Sequence, residues 1–148
     1  MIKREILMKG YRYRKKVRVS AYDEDVEIRP LLETEVTQIV RELENSGQNL
    51  ENVKTSLFAN YTMLYWACQY GIVDKEVIAP LPGKMQDEMR KKLPDGKPDP
   101  EDTHIYTGVD LMIGGSVREI GTAIIEISSS ESKELADFFK ALKPKEVT

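Results

Sequence analysis

Apolar positions alternate with charged ones near the start of the chain, in the stretch YRYRKKVRVSAY. Alternation with a period of two is typical of a half-buried β-strand. A turn around Tyr22–Asp25 and the short return VEIR complete a predicted β-hairpin over residues 11–29, because aspartate favours turns and β-branched residues favour strands. Residues 1–10 show no strong apolar pattern, so we expect a flexible arm there.

From residue 33 the apolar spacing changes to three or four positions, which indicates helices. The first predicted helix covers Glu33–Asn45 and ends at Ser46-Gly47, where glycine adopts the left-handed C-cap. The second covers Leu50–Tyr70 and has the most regular stripe. The stripe consists of Leu50, Val53, Leu57, Tyr61, Leu64 and Cys68. Aromatic residues beside it make the apolar arc wide, so this helix is either central in the fold or meets another chain.

Prolines punctuate the chain after residue 79 and bracket a short charged helix near Lys84–Lys92. The acidic, proline-rich segment over 94–104 is predicted to be a mobile loop. Capping boxes at Ser116–Glu119 and Ser128–Glu131 predict two final helices. The predicted fold class is α+β and mainly α-helical, with an N-terminal β-hairpin followed by a bundle of about five helices. We expect a single domain over 1–148, with the arm at 1–10, the hairpin at 11–29, the helical part at 33–142 and a tail at 143–148.

Length and composition fit one domain, since 148 residues with 41% apolar content supply one modest core. The single cysteine, Cys68, excludes an internal disulfide, and no signal peptide is recognisable, so a cytoplasmic location is expected. A run of 19 uncharged residues over 55–73 approaches the ~20 that cross a bilayer, but polar side chains interrupt it. No membrane span is expected.

Charge is uneven along the chain. Residues 1–18 hold eight basic residues and one acidic residue, a net of +7, whereas the remainder carries −10. The basic arm comprises Arg12, Arg14, Lys15, Lys16 and Arg18. One interpretation is an arm that binds nucleic acid or an acidic partner. The other, which the strand-like alternation favours, is an edge strand that its charges protect against aggregation.

Residues that would indicate an enzyme are sparse. The only histidine, His104, lies in the proline-rich loop, and Cys68 lies on an apolar stripe, where a small buried side chain is the expected role. Neither Gly-Lys pair has the spacing of a phosphate-binding loop, and the acidic residues do not follow the calcium-loop pattern. We expect no enzymatic activity, no cofactor and no metal.

Three motifs carry a family resemblance. The first is a strand end and a corner, Ile28-Arg29-Pro30-Leu31, followed by Glu35 inside a helix. The second is a pair of C-terminal helices in the stretch GTAIIEISSSESKELADFF. The third follows the long helix and reads Gly71-Ile72-Val73-Asp74. Together with the order of elements, these motifs resemble the tail assembly chaperones of tailed bacteriophages and related archaeal viruses. Leu32 stands where many members have a capping Thr or Ser, so Thr34, or the carboxylates of Glu33 and Glu35, are expected to serve the helix N-terminus.

The resemblance implies a holdase that binds the tape measure protein and recruits tail tube subunits in the host cytoplasm, without remaining in the mature virion. We expect the partner-binding residues to be Tyr61, Met63, Tyr65 and Trp66, together with Arg29. Leu57, Leu64 and Cys68 are expected to pack in the core, and for the aromatic residues that flank the stripe core packing and partner contact are equal alternatives. Arg29 has two equal interpretations. In one it pairs with a carboxylate or caps backbone carbonyls, and in the other it is an exposed residue at the end of a strand.

Two other functions stay open from the sequence. A nucleic-acid-binding regulator would use the basic arm, although the acidic remainder makes nucleic acid an unfavourable partner. A structural head-tail or tail-completion protein would have the same size and fold class. Self-association is possible with any of these functions.

Overall fold

The computed structural model describes the backbone of residues 1–142 and the side chains of all of these except 134, 135, 141 and 142. The predicted tail at 143–148 lies outside the described residues. The elements in chain order are α1 Arg4–Arg12, β1 Lys15–Val19, β2 Glu24–Ile28, α2 Glu33–Asn45, α3 Leu57–Gly71, α4 Lys75–Ile78, α5 Gly83–Met89, α6 Ser116–Ser128 and α7 Lys133–Leu142, with 3-10 turns at Leu50–Lys54 and Gly108–Leu111. The fold is α+β and mainly helical, as predicted. About five helices were predicted, and the described residues form two further α-helices, α1 and α4.

The β-hairpin is shorter than predicted. β1 and β2 pair antiparallel with Val17 opposite Val26, and one face of the sheet is buried. The turn is closed by hydrogen bonds to the Val19 carbonyl, with Asp23 at φ 54°, a left-handed conformation that aspartate tolerates. The predicted strand start at Tyr11 is wrong, because residues 4–12 form α1, in which apolar residues recur four positions apart.

α2 has the predicted limits. Its end is a Schellman motif, in which the Gly47 amide donates to the Glu44 carbonyl and the Gln48 amide to the Leu43 carbonyl, with Gly47 at φ 80°. At its start, Leu32 occupies the N-cap position and the Glu35 carboxylate accepts from the Leu32 amide at 2.8 Å. The glutamate therefore serves the helix N-terminus in place of a capping hydroxyl.

The predicted second helix is interrupted, so its expected start at Leu50 is wrong. Asn49 caps the 3-10 turn through the Asn52 amide, and Ser56 caps α3 by accepting from the Ala59 amide at 3.2 Å. Each capping side chain accepts a hydrogen bond from a free amide at a helix N-terminus and so favours a new helix at that point. α3 therefore begins only at Leu57. Among the residues that the structure describes, no helix combines the length and apolarity needed to cross a membrane.

The core is centred on the close crossing of α3 and α6. A Cβ atom on Gly121 would lie 2.8 Å from the Leu64 carbonyl oxygen, and one on Gly71 would lie 2.6 Å from Ile124. Glycine at both positions lets the helix backbones approach. The α6 residues buried in the core are Val117, Ile120, Ile124 and Ile127, and α2 and the hairpin cover the same core with Ile39, Leu43, Val19, Val26 and Ile28.

The two predicted capping boxes are absent, and their polar residues instead fasten α6 to the N-terminal elements. α6 begins after Gly115, and the Glu119 carboxylate accepts from the amide and hydroxyl of Ser20, both at 2.7 Å. Ser128 is the last residue of α6 and accepts from the Leu31 amide at 2.8 Å. Tertiary contacts have replaced the local caps.

The proline-rich segment has the predicted irregular backbone. α5, Gly83–Met89, overlaps the charged helix predicted near Lys84–Lys92 but ends three residues earlier. Residues 94–104 contain neither helix nor strand beyond the isolated pairing of Lys92 with Pro98. Buried Gln86 holds the end of this segment by accepting from the Tyr106 amide and donating to the Tyr106 carbonyl. The mobility of 94–104 stays a prediction.

Candidate functional site

The start of α3 places large apolar side chains in solvent. No charged residue occurs between Ser56 and Gly71, and apolar side chains lie on all sides of α3, with the polar residues Asn60, Thr62 and Gln69 among them. A helix of that kind is normally buried on all sides. In its first turns, however, Leu57 is 74% exposed, Phe58 58% and Tyr61 43%. Tyr61 follows the other two by four and three positions, so the three side chains are neighbours on the helix surface and form the α3 patch.

The α3 patch agrees only in part with the residues predicted from sequence. Tyr61 belongs to it, whereas Met63 and Trp66 are partly buried and pack against the core. Leu57 was expected in the core, which is wrong, because the core-facing row of α3 begins at Ala59. The buried residues of this helix are Ala59, Leu64, Ala67, Cys68 and Gly71. A partner contact by Met63 or Trp66 stays a prediction, and Phe58 is the residue that the sequence analysis missed.

Tyr65 lies at the centre of an internal hydrogen-bond network. Its hydroxyl donates to the Asp110 carboxylate at 2.6 Å and accepts from the Gln69 amide at 2.9 Å, and Nε2 of His104 lies 2.8 Å away. Because the tyrosine proton points to Asp110, Nε2 of His104 carries the hydrogen of the third bond. Burial and the bond to Asp110 raise the pKa of Tyr65 far above its ordinary value, so the hydroxyl stays protonated.

The network joins α3 to the proline-rich segment and to the turn after it. The Asp110 carboxylate also accepts from the Thr107 amide, and the Thr107 hydroxyl donates to Gln69. The His104 ring packs edge-on against Tyr106 with centroids 4.5 Å apart. Tyr65 therefore holds two segments of the fold together, and its predicted contact with a partner stays a prediction.

Cys68 occupies the buried position that its apolar stripe predicted. Its exposed fraction is 0%, and its sulfur faces the Val117 carbonyl oxygen at 3.4 Å. Burial raises the pKa of the Cys68 thiol to about 12, so the group stays protonated and unreactive near neutral pH. Cys68 contributes to packing rather than to chemistry.

Arg29 forms a bidentate ion pair with Glu35. Its two terminal nitrogens lie 2.8 and 2.7 Å from the two carboxylate oxygens, and the side chains are only 14% and 15% exposed. Arg29 also donates to the Pro30 carbonyl, and its guanidinium lies 5.5 Å from the centre of the Tyr11 ring. Of the two alternatives left open by the sequence, pairing with a carboxylate is confirmed. The pair fixes the angle between β2 and α2.

The basic arm is divided between elements with different surroundings. Arg12 ends α1, and Arg14 donates to the carbonyls of the two tyrosines beside it. Lys15, Lys16 and Arg18 lie on β1, where Arg18 pairs with Asp23 and, at 3.3 Å, with Asp25. Part of the positive charge is therefore balanced within the hairpin, which disfavours one continuous face for nucleic acid.

Comparison with family models, with curated proteins and with solved structures finds no match to this chain.

Proposed function

We propose that this chain is a tail assembly chaperone, which binds the tape measure protein of a tailed virus and recruits tail tube subunits during tail assembly. The observation that carries the proposal is the α3 patch, because this uncharged and largely apolar helix leaves Leu57, Phe58 and Tyr61 in solvent. Exposed apolar groups of this size mark sites of protein interaction. A long, helical and aggregation-prone client offers the matching apolar surface.

The corner before α2 gives the second support. In the resemblance, the Arg-Pro-Leu corner and the following glutamate belong together, and here Arg29 and Glu35 form one ion pair. A charged pair held at a strand–helix corner explains why a motif would combine these two residue types. The pair does not distinguish a chaperone from other proteins with the same corner, so the α3 patch carries the functional part.

Co-expression of the chain with the tape measure protein of the same virus tests the proposal. A tagged wild-type chain is expected to co-purify with that protein and keep it soluble. The variant Leu57→Ser/Phe58→Ser should retain less than about a tenth of the bound tape measure protein, because truncating central apolar contacts removes most of the binding energy.

A matched control distinguishes loss of the α3 patch from the general effect of making the surface more polar. Ile105 and Ile113 are 55% and 65% exposed and lie outside α3. The variant Ile105→Ser/Ile113→Ser should bind like the wild type. Equal losses in both variants, or tape measure protein that stays soluble without the chain, would contradict the proposal.

The location of the chain during infection tests the chaperone role against a structural one. A chaperone is expected in infected-cell lysates and in assembly intermediates but not in purified particles. Quantitative mass spectrometry of purified particles measures this. A fixed number of copies per particle would instead support the head-tail or tail-completion alternative.

A further inference from the structure

A second apolar surface lies far from α3 in the sequence, between α1 and the corner that precedes α2. It is a groove of about 660 Å³. One wall is formed by Ile2, which precedes α1, and by Ile6, Leu7 and Tyr11 on α1, and the other wall contains Pro30–Leu32 and Phe139. A concave, largely apolar surface of this size is within the range of ligand and peptide sites.

α1 is fastened only near its C-terminal end among the contacts that the structure describes. Gly10 lies against the Phe139 ring, and the ring of Tyr13 lies 4.9 Å from that of Phe138. No residue of α1 is buried, and Ile6 and Leu7 are 45% and 61% exposed. Among the residues whose side chains the structure describes, no element covers the exposed apolar face of α1, although nine residues alone make a marginal helix.

The charge around the groove selects the occupant. Residues 1–12 hold four basic residues and one acidic residue, a net of +3, and the charged side chains that line the groove itself are Lys3, Lys9 and Glu5, a net of +1. Lys3 and Lys9 both lie on the α1 side of the groove, so they favour a partner with carboxylates along the edge of its apolar stripe that faces α1. They oppose the α1 of a second copy, which brings the same positive charge.

The shape of the groove selects a helix over other occupants. The α1 wall is helical, so its backbone groups are used internally and offer no edge for an added strand. Two facing walls also suit a rod of side chains better than a flat bilayer, which would contact α1 alone. We infer that the groove between α1 and Pro30–Leu32 binds an acidic amphipathic helix of a partner protein.

This inference goes beyond the proposed function, because it concerns a different surface and stands without the tape measure protein. The probe is a fluorescein-labelled helical peptide of about 18 residues, roughly five turns, with leucines along one face and glutamates flanking them. Fluorescence anisotropy with the full chain should show saturable binding that weakens as salt is raised.

Variants on the two faces of α1 locate the site. Ile6→Ser/Leu7→Ser should weaken peptide binding about tenfold or more, because it removes the apolar wall. Met8 is 38% exposed and lines a separate surface with Arg4 and Arg12, so Met8→Ser is the matched control and should bind within about twofold of wild type. Lys3→Glu should weaken binding more than Arg4→Glu does.

Three results would overturn the inference. Equally tight binding of a peptide with lysines in place of the glutamates would show that charge does not select the partner. Vesicles containing phosphatidylserine could bind through Ile6 and Leu7 while the peptide does not, which identifies a membrane surface. Light scattering could reveal a dimer that Ile6→Ser/Leu7→Ser dissociates in the absence of peptide binding, which identifies a second copy. Circular dichroism checks folding, and Leu7→Ser alone replaces the double variant if the latter loses helix.

Discussion

Arg29 shows how a residue with two equal interpretations acquires one role. The sequence placed it between a strand and a proline, with a glutamate six positions later. Once α2 starts at Glu33, Glu35 lies in the first turn, where its carboxylate reaches both the Leu32 amide and the guanidinium. Arg29 therefore stabilises the corner, and its direct contact with a partner stays a prediction.

Breaking this ion pair is expected to destabilise the fold. Arg29→Met should lower the free energy of unfolding by about 2–3 kcal/mol, because it leaves a largely buried carboxylate without its cation. Chemical denaturation at pH 7 measures the loss. In Glu35→Gln/Arg29→Met the cost should be smaller than the sum of the single variants, and strict additivity would show that the two groups act independently.

The same pair gives a pH dependence. Burial opposes the charge on Glu35, but hydrogen bonds from Arg29 and from the Leu32 amide outweigh it, so its pKa lies below the ordinary 4.5. A lowered pKa stabilises the fold above pH 4.5, and this contribution is lost as the pH falls through the pKa of the folded state. The stability difference between wild type and Glu35→Gln should therefore be full at pH 7 and shrink at and below about pH 4. A difference that stays constant from pH 7 to pH 3 would contradict this assignment.

Tyr65 illustrates what the sequence could not supply. Its position on an apolar helix was evident, but its hydroxyl partners His104 and Asp110 lie 39 and 45 residues later. Which distant polar groups meet depends on how the loop after α5 returns to α3. Helical periodicity carries no such information. Tyr65 therefore looked like part of a binding surface, although it belongs to an internal network.

Removal of the Tyr65 hydroxyl tests that network. Tyr65→Phe should cost about 1–3 kcal/mol of unfolding free energy, because it removes the three hydrogen bonds of the hydroxyl, one of them to the largely buried Asp110 carboxylate. Tyr61→Phe, on the exposed side of the same helix, should change stability by less than about 0.5 kcal/mol. Thermal and chemical denaturation measure both. If Tyr65→Phe is as stable as Tyr61→Phe, the network does not hold the loop.

At the scale of elements, local signals predicted most of the helices. The limits of α2 followed from its apolar spacing and from Gly47, because both act within a few residues. The errors arose where local signals competed. The apolar stripe continues in the sequence past Ser56, but Asn49 and Ser56 each cap a new helical segment. The two capping residues were the sequence signal for two separate helix starts. α1 was missed because only nine residues carry its pattern.

The α3–α6 crossing leads to an element-scale prediction. Gly121→Ala should lower the free energy of unfolding by about 1–3 kcal/mol, because the added methyl meets the Leu64 backbone and forces the helices apart. Gly83→Ala is the matched control, since nothing lies within 4 Å of its Cβ position, and it should be near neutral. Equal stability of the two variants would mean that the helices are not in close contact.

For the whole molecule, the distribution of apolar surface matters more than its amount. The core takes the inner sides of α2, α3, α6 and the hairpin, while none of the residues that the structure describes covers the α3 patch or fills the α1 groove. The sequence indicated that the apolar arc of the long helix was wider than packing against one neighbouring element requires. It could not indicate which end stays exposed, because that depends on where the proline-rich segment and α6 pack.

Hydrogen exchange of the chain with and without the tape measure protein that we propose as its client tests the central claim most directly. Backbone amides at residues 50–61 lie beside the α3 patch and should exchange more slowly in the complex, because a bound helix excludes water from them. Amides in the middle of α6 should be unchanged, since Ile120 and Ile124 are already buried. Protection over 50–61 that disappears in Leu57→Ser/Phe58→Ser would support the account. No protection there, or protection confined to α1 and the Pro30–Leu32 corner, would contradict it.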